Sequence, residues 1–264
     1  MGMPIVTLTT DWGNQDFFAG MVKGVLYGMI DGVQVVDIAH DIEPYNIMAA
    51  TFVVRHACMG FPPGTVHIID VASSHSAEHP FVALKSRGQY YICADNGLPS
   101  MVFGDDIDDT AALPVQENGV YNFAAYNLFS RTAAQLIGGA SMRDIGPRHD
   151  NLVRRTLPTY IQQGDQYRIY VHYVDRYGNA YLGMSYREFE ELRRGRHFSL
   201  TVLDQEVDEL MISYYQQHSK ADPRRKLRLT VSSTGLLELA LKESAMAPLM
   251  NIRMNSSVLL RFKD

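Results

Sequence analysis

Residues 5–38 read IVTLTTDWGNQDFFAGMVKGVLYGMIDGVQVVDI, and their apolar spacing changes twice along the segment. Its first part, Ile5–Thr9, is a short run rich in β-branched residues, which is typical of a buried strand. Between Phe17 and Ile30 the apolar residues recur every three or four positions, which predicts an amphipathic helix. Val33–Ile38 is a second buried strand. A strand, a helix and another strand in this order indicate an α/β fold whose sheet is mainly parallel.

The same alternation continues towards the middle of the chain. Asn46 can cap a helix that runs to about Cys58. The other predicted elements of this half are the strands Thr65–Asp70, Phe81–Leu84 and Tyr90–Ala94 and the helix Phe129–Ile137. The helices are expected to cover the parallel sheet on its faces.

The pattern changes after the charged stretch 146–158, which contains two prolines. We therefore predict an α/β domain at 1–155 and a second domain at 156–264. Short strands separated by turns predict a small all-β barrel or sandwich for the second domain. Residues 206–220 would interrupt these strands as an exposed helix or a mobile excursion. The predicted strands are Tyr167–Val174, Ala180–Met184, Phe198–Leu203, Leu227–Ser232, Leu236–Leu241 and Val258–Phe262.

Composition argues against several classes of protein. The formal net charge is −5 and Lys and Arg form no long basic run, which disfavours nucleic-acid binding. No stretch approaches 18 apolar residues and the N-terminus lacks a basic-then-apolar leader, so we expect a cytoplasmic protein without a membrane segment. Cys58 and Cys93 lie in apolar segments outside any C-x-x-C pair, and we expect buried, reduced thiols.

Acidic residues follow two of the predicted strands, where open α/β sheets bind their ligands. Asp11 follows the first strand and lies too early to cap the next helix, whereas Asp16 could be either a cap or a ligand group. Asp70 ends the third strand, and no helical pattern follows that it could cap. Because an ionised carboxylate can accept both hydrogen bonds of a ribose diol, these positions predict a pocket for a small nucleoside-like ligand.

Two further polar segments are first of all turn sequences. Asn96-Gly97 follows the strand that ends at Ala94, and its residues favour a turn by themselves. The segment Asp175–Asn179 is likewise typical of a hairpin turn. Both remain candidates for ligand contacts because each lies at the end of a strand.

A set of motifs falls in order along nearly the whole chain. These are Thr10-Asp11-Trp12-Gly13 with Asp16, Gly20-Met21-Val22-Lys23-Gly24-Val25, Val36-Asp37-Ile38 with Ile42-Glu43-Pro44-Tyr45, Gly64-Thr65-Val66-His67, Ala94-Asp95-Asn96-Gly97-Leu98, Val174-Asp175-Arg176-Tyr177-Gly178-Asn179 and Ser233-Thr234-Gly235-Leu236-Leu237-Glu238-Leu239-Ala240. Together they resemble the S-adenosylmethionine (SAM) hydroxide adenosyltransferase family, to which the fluorinating and chlorinating enzymes are related. Each motif is weak alone, and their shared order carries the resemblance.

The resemblance implies a fold, an assembly and a ligand. The fold would be a Rossmann-like N-terminal domain followed by a small β-barrel domain. The assembly would be a homotrimer, with SAM between the N-terminal domain of one subunit and the C-terminal domain of its neighbour. SAM would be the substrate, and no metal or other cofactor would be needed.

The resemblance also implies roles for individual residues. Asp11 would hold the ribose hydroxyls, with Tyr45 as the wall beside the ribose and Phe123 lining the reaction centre. The methionine ammonium and carboxylate would be bound by Asp16, Asp175 and Ser233. Asn179 would face the adenine, and Asn96 is a further substrate-binding candidate. A positively charged sulfonium favours such an acidic pocket.

The chain departs from the family pattern around the reaction centre. Family hydrolases place an Arg after the third-strand Asp and a His in a Phe-His-Gly-Arg-Asp segment, and here Ala77 and Ala124 fall at those positions. Of the implied water-activating group, Asp70 alone is kept. In the adenine segment, Lys242-Glu243 stands where an Asn is usual.

The loop after Asp70 suggests two further interpretations. His75-Ser76-Ala77-Glu78-His79 has the H-x-x-E-H spacing of inverted zincins, but that chemistry needs both His residues on one face of a helix. Serines and Pro80 flank this short segment, so we expect no metal-binding helix. His75 or His79 could instead help Asp70 to accept a proton, or the segment could be an exposed polar loop.

The sequence therefore predicts a SAM-binding enzyme that hydrolyses SAM to adenosine and methionine by attack at the 5′ carbon, with Asp70 as the catalytic carboxyl. Two alternatives remain open. One is a protein that binds SAM or adenosine with little or no turnover. The other is an enzyme that uses another nucleophile or another nucleoside.

Overall fold

The computed structural model of the protein describes residues 2–115, 122–212 and 227–263. The chain divides into two compact units, Met1–Thr156 and Leu157–Asp264. No helix in these described ranges is long and apolar enough to cross a membrane.

The first unit is built on a six-stranded sheet. Its strands are β1 (Ile5–Thr10), β2 (Gln34–Ala39), β3 (Val66–Asp70), β4 (Phe81–Ser86), β5 (Gln89–Ala94) and β6 (Asp109–Ala112), in the order β2-β1-β3-β5-β4-β6. The first four strands in that order run parallel, while β4 is antiparallel to both β5 and β6. The predicted α/β class with a mainly parallel sheet is confirmed.

Helices connect and cover these strands. They are α1 (Phe18–Met29), α2 (Ile47–Ala57), α3 (Leu98–Phe103), α4 (Ser130–Ile137) and α5 (Met142–Ile145), with a π-helical turn at Ala125–Phe129. The side chain of Asn46 caps α2 by accepting the N–H of Ala49 across 3.0 Å, as the sequence predicts. Val22 and Leu26 of α1 are fully buried, so this helix packs its apolar face on the core.

Among the described residues of the second unit, nine strands form a nearly closed, barrel-like sheet, which confirms the predicted β-barrel. They are β7 (Tyr160–Gln163), β8 (Gln166–Val174), β9 (Ala180–Ser185), β10 (His197–Val202), β11 (Gln205–Val207), β12 (Leu210–Met211), β13 (Leu227–Val231), β14 (Leu236–Leu241) and β15 (Ser257–Lys263). The long strand β8 pairs with β7, β9 and β15, so it holds the sheet together. The core of this unit is formed mainly by inward side chains of these strands, together with Phe189, Met246 and Ala247 outside them.

The structure corrects the expected helix or excursion at 206–220 and adds elements to the second unit. The first part of that segment contributes the short strands β11 and β12, and residues 213–220 lie outside the described residues. Two helices, α6 (Tyr186–Arg193) and α7 (Met246–Leu249), accompany the strands. Ser185 and Glu188 form a reciprocal capping box at the start of α6, and this pattern is visible in the sequence.

Both cysteines are buried free thiols, as expected. Burial raises the pKa of Cys58 to about 12, and it also raises that of Cys93. Thiols in such surroundings stay protonated and unreactive, so neither is a candidate nucleophile.

Candidate functional site

Two neighbouring strand ends bring Asp11 and Asp70 together. β1 and β3 pair in parallel with Thr10 opposite Asp70. The N–H of Asp11 donates to the carbonyl oxygen of Asp70 across 3.4 Å. The two carboxylates that the sequence singles out are thus neighbours at the carboxyl edge of the sheet, the edge where open α/β sheets bind ligands.

Asp70 is a nearly buried carboxyl, with 6% of its surface exposed. The indole N–H of Trp12 donates to its Oδ2 across 2.9 Å. The pKa of Asp70 is raised to about 6, chiefly by burial and in part by the charge of Asp11, against the lowering effect of Ser73 and Trp12. A carboxyl with this pKa is mostly ionised at neutral pH and basic enough to accept a proton there.

Asp11 holds two backbone segments together. Its Oδ2 accepts the N–H of Tyr45 across 2.9 Å and the N–H of Ala72 across 3.2 Å. Both donors have positive φ, 67° and 51°, a conformation that side-chain-bearing residues seldom adopt. The carboxylate therefore stabilises two strained turns through one oxygen. Its Oδ1 accepts no hydrogen bond from the described residues and can face a ligand.

An aromatic cluster of Trp12, Phe18 and Phe123 adjoins Asp70. The ring of Phe123 lies edge-on to Trp12 and to Phe18, with centroids 5.0 and 5.1 Å apart. Phe123 is half-buried, and the exposed Tyr126 stacks against it at 6.4 Å. The cluster gives the edge around Asp70 an apolar wall, and aromatic faces favour cations such as a sulfonium.

A chain of polar contacts lies behind Trp12. The indole stacks on the His40 ring, with centroids 5.8 Å apart and planes 17° from parallel. His40 Nδ1 lies 2.7 Å from Thr10 Oγ1, and its Nε2 lies 3.1 Å from Asp37 Oδ1. The Lys23 ammonium donates to the other Asp37 oxygen across 2.5 Å. Burial would raise the pKa of Asp37, but the hydrogen bonds from Lys23 and His40 outweigh it, so the pKa is lowered.

A cavity of about 700 Å³ is lined in part by Tyr45. Its lining residues are Glu43, Pro44, Tyr45, Asn46, Ile47, Met48, Met101, Arg154, Arg155 and Thr156. Tyr45 is 80% exposed, and its N–H is the group that Asp11 binds. Tyr45 thus lines this cavity and also contacts Asp11 through its backbone.

Asp16 and Asn96 have different surroundings. Asp16 is exposed, and α1 starts after Phe17 without a side-chain cap from the described residues, so Asp16 does not cap this helix. The Asn96 amide donates to the carbonyls of Val71 and Ala72, each across 3.2 Å, while its oxygen accepts the N–H of Leu98. Asn96 therefore braces the turn that follows Asp70, as well as forming its own turn.

The loop between His75 and His79 is not helical. His75 is exposed and packs on Phe81, with ring centroids 5.1 Å apart. His79 Nδ1 lies 3.0 Å from the Asp95 carbonyl oxygen, and the backbone N–H of His79 donates to Ser76 Oγ. Across the described ranges, no three His, Cys, Asp or Glu residues lie close enough together to hold a metal ion. The H-x-x-E-H spacing therefore has no helix on which to place its two His residues.

The candidates in the second unit are Asp175, Asn179 and Ser233. Asp175 accepts the backbone N–H of Asn179 across 2.8 Å and its side-chain amide across 3.2 Å, which closes the turn between β8 and β9. Ser233 is exposed in the turn between β13 and β14. These residues lie on turns at strand ends, and the pair of Asp175 and Asn179 is held rigid by its own hydrogen bonds.

Sequence reasoning missed Trp12 and His40 as parts of this site. Trp12 entered it only as part of the Thr10-Asp11-Trp12-Gly13 motif, and His40 was not among the candidate residues. Their contacts join residues that are 58 and 30 positions apart, Trp12 with Asp70 and Thr10 with His40. One signal was available, because the Trp12 indole directly follows a strand-end carboxylate and needs a hydrogen-bond acceptor when it is buried.

Two models of one protein family together match most of the chain. The family model described as the SAM hydroxide adenosyltransferase N-terminal domain matches residues 6–146, and the corresponding C-terminal domain model matches residues 169–259. An (R)-S-adenosyl-L-methionine hydrolase from Salinispora tropica is 27% identical over 206 residues, covering 72% of this chain and 76% of that protein. One from Methanocaldococcus jannaschii is 31% identical over 101 residues, but this match spans only 36% of the chain and 38% of the relative.

A solved structure shows the same fold. The crystal structure of an uncharacterized conserved protein from Thermotoga maritima superposes with a TM-score of 0.83 at 20% identity, covering 97% of this chain and 99% of that one. The family models match most of the chain, and the motifs of the sequence fall within or beside them. The chain belongs to the SAM hydroxide adenosyltransferase family.

Proposed function

We propose that the protein hydrolyses SAM to adenosine and methionine, with Asp70 as the catalytic carboxyl. The main support for this proposal is the position of Asp70 and its raised pKa. It is nearly buried, has a pKa of about 6, and lies beside Asp11 at the ligand-binding edge of a chain that matches both family domains. Relatives that carry the name (R)-S-adenosyl-L-methionine hydrolase support the same reaction.

The reaction is a displacement at the 5′ carbon. The oxygen of a water molecule forms a bond to C5′, and the C5′–S bond breaks with its electron pair going to sulfur. Asp70 accepts the proton of the attacking water and later releases it to solvent. The products are therefore adenosine, methionine with a neutral thioether sulfur, and one proton. A sulfonium is a good leaving group, so the chain mainly has to orient the water and the substrate. This chemistry needs no cofactor beyond SAM itself.

The binding roles follow from the groups that are free to meet a ligand. Asp11 Oδ1 is proposed to accept the ribose diol, with Tyr45 beside the sugar and Phe123 beside the reaction centre. Asp16 is exposed and not used as a cap, so it can bind the methionine ammonium. We assign Asp175, Asn179 and Ser233 to the methionine and adenine ends, contributed by the neighbouring subunit of a homotrimer in the cytoplasm.

The test is incubation of the purified protein with SAM, followed by chromatography of the products. Adenosine and methionine in equal amounts support the proposal. The alternative of a SAM-binding protein without turnover predicts a raised melting temperature with SAM and no product. An unchanged melting curve at millimolar SAM, with the protein folded, would contradict both.

The pH dependence of kcat/KM should show an acid limb with its midpoint near pH 6. Asp70 must be ionised to accept a proton, and its pKa in the free protein is about 6. The rate is therefore expected to fall about tenfold for each pH unit below 6 and to level off above 7. A rate that rises as the pH falls through 6 would exclude Asp70 as the base.

A homotrimer with shared sites predicts complementation between two inactive variants. Asp70→Asn removes the carboxyl in the first unit, and Asp175→Ala removes a ligand group in the second unit. When the two chains are co-expressed, mixed trimers contain sites with both native residues, so activity should return to a fraction of that of the native protein. Light scattering should give three times the chain mass of 29.7 kDa. A monomer mass, or no recovery in trimers shown to be mixed, would contradict the shared site.

A further inference from the structure

We propose that Trp12 is a positioning residue for Asp70: its indole N–H fixes the Oδ2 oxygen and so turns Oδ1 towards the attacking water. The catalytic part of this inference rests on the proposed function. The contact itself does not, because it exists in the free protein and can be measured without SAM turnover.

The geometry holds the indole in one place. Trp12 Nε1 lies 2.9 Å from Asp70 Oδ2. One face of the indole stacks on His40, and the edge of Phe123 closes on it at a centroid distance of 5.0 Å. A side chain packed against two rings cannot swing away from the carboxylate without disturbing both contacts.

His40 is held at Nδ1 by a hydrogen bond with Thr10. Its Nε2 lies at ion-pair distance from Asp37 but without hydrogen-bond geometry, and Lys23 pairs with the far oxygen of Asp37. The order Lys23, Asp37, His40, Trp12, Asp70 is thus a continuous row of contacts from the surface to the buried carboxyl. The indole is the group in this row that contacts Asp70, and its N–H orients the carboxyl.

The charges around Asp70 show why a neutral donor matters there. Asp11 faces it from the end of β1 and disfavours the ionised form, while Ser73 and Trp12 favour it. The Ser73 hydroxyl makes no hydrogen bond of good geometry with the described residues, and the described groups that shift the pKa of Asp70 include no Lys or Arg. His40 lies behind the indole ring. Trp12 therefore supplies the well-formed hydrogen bond to the ionised carboxyl, and an indole N–H donates at every pH.

The first experiment compares the native protein with Trp12→Phe, which keeps a ring against His40 and Phe123 but removes the N–H. A hydrogen bond to a charged group changes an equilibrium constant by about 10- to 100-fold, so kcat should fall by a factor in that range. KM for SAM should change by less than about threefold, and the acid limb of the rate profile should move up by about one pH unit. A purely structural Trp12 would leave the limb in place, and that result, in a variant with native melting behaviour, would overturn the inference.

The second experiment needs no activity, because Trp12 is the single tryptophan of the chain. Its fluorescence should change with pH in one step near pH 6 as Asp70 is protonated. In Asp70→Asn the step should vanish, and in His40→Gln it should remain, since His40 is the other titratable group in contact with the ring. A step of native size that remains in Asp70→Asn but is lost in His40→Gln, or no step in the native protein, would refute the contact. If the step behaves as expected but SAM is not hydrolysed, the proposed function fails while the hydrogen bond stands.

Discussion

Asp70→Asn should lower kcat by about 100- to 10,000-fold, the usual contribution of a general base. The amide has nearly the same shape, and its oxygen can still accept the Trp12 N–H, so the orientation of the side chain is kept. It cannot take a proton from water, however. The measurement is adenosine formation at saturating SAM at pH 8. A variant that turns over as fast as the native protein would show that Asp70 is not the catalytic carboxyl.

Stability provides the control for this substitution. The pKa of Asp70 in the folded protein, about 6, lies above the ordinary value of 3.8, so the ionised form is less stable in the fold than in the unfolded chain. Above pH 6 this costs about 3 kcal/mol, and below about pH 4 the cost disappears. Asn is neutral throughout, so the variant should melt higher than the native protein at pH 8 and at nearly the same temperature at pH 3.5. A lower melting temperature at pH 8 would mean that the substitution had damaged the fold.

The loop histidines supply a second comparison for turnover. If His75 or His79 helps Asp70 to accept the proton, the pair His75→Ala with His79→Ala should lower kcat in the same assay. His79 is occupied by the Asp95 carbonyl and His75 packs on Phe81, so we expect this pair to have a much smaller effect than Asp70→Asn.

Asp11→Ala should abolish SAM binding and also destabilise the protein. The carboxylate is the proposed acceptor for the ribose diol, and it also binds the backbone N–H groups of Tyr45 and Ala72. Losing both hydrogen bonds from strained turns should lower the free energy of unfolding by about 1–3 kcal/mol. Thermal melting with and without millimolar SAM measures both effects, and a native-sized ligand shift in the variant would contradict the role in binding.

Asp11→Asn separates the two effects. The amide oxygen can still accept the two backbone N–H groups, so the unfolding temperature without ligand should stay close to the native value. The charge that favours the diol and the sulfonium is lost, so the SAM-induced shift should shrink sharply. Equal loss of ligand binding and of stability in both variants would show that Asp11 acts on the fold alone.

The sequence predicted most of the fold because periodicity decides it. β1, α1 and β2 follow from the apolar spacing of residues 5–38, and Asn46 caps α2 as its residue type predicts. The expected burial of the second strand is wrong, because β2 is an edge strand and none of its residues is buried. The errors lie where tertiary contacts outweigh local patterns. β7 is a largely exposed four-residue edge strand that owes its form to pairing with β8. α6 was missed although its Ser185 and Glu188 capping box is present in the sequence.

The site was only partly predictable. Strand ends pointed to Asp11 and Asp70, because the carboxyl edge of a parallel sheet is a general location for ligands. The second role of Asp11 depends on positive φ at Tyr45 and Ala72, and neither residue type signals that conformation. The contact between Trp12 and Asp70 joins residues 58 positions apart, so it becomes visible only when β1 and β3 are paired.

The most direct test of the central claim is the fate of oxygen in ¹⁸O-labelled water. Hydrolysis of SAM by water attack at C5′ places one ¹⁸O atom in the 5′ hydroxyl of adenosine and none in methionine, which mass spectrometry of the two products can measure. We expect singly labelled adenosine, formed in equal amounts with unlabelled methionine, and a much slower label uptake in Asp70→Asn. Adenosine without the label, or no adenosine from a protein that is folded and binds SAM, would contradict the claim.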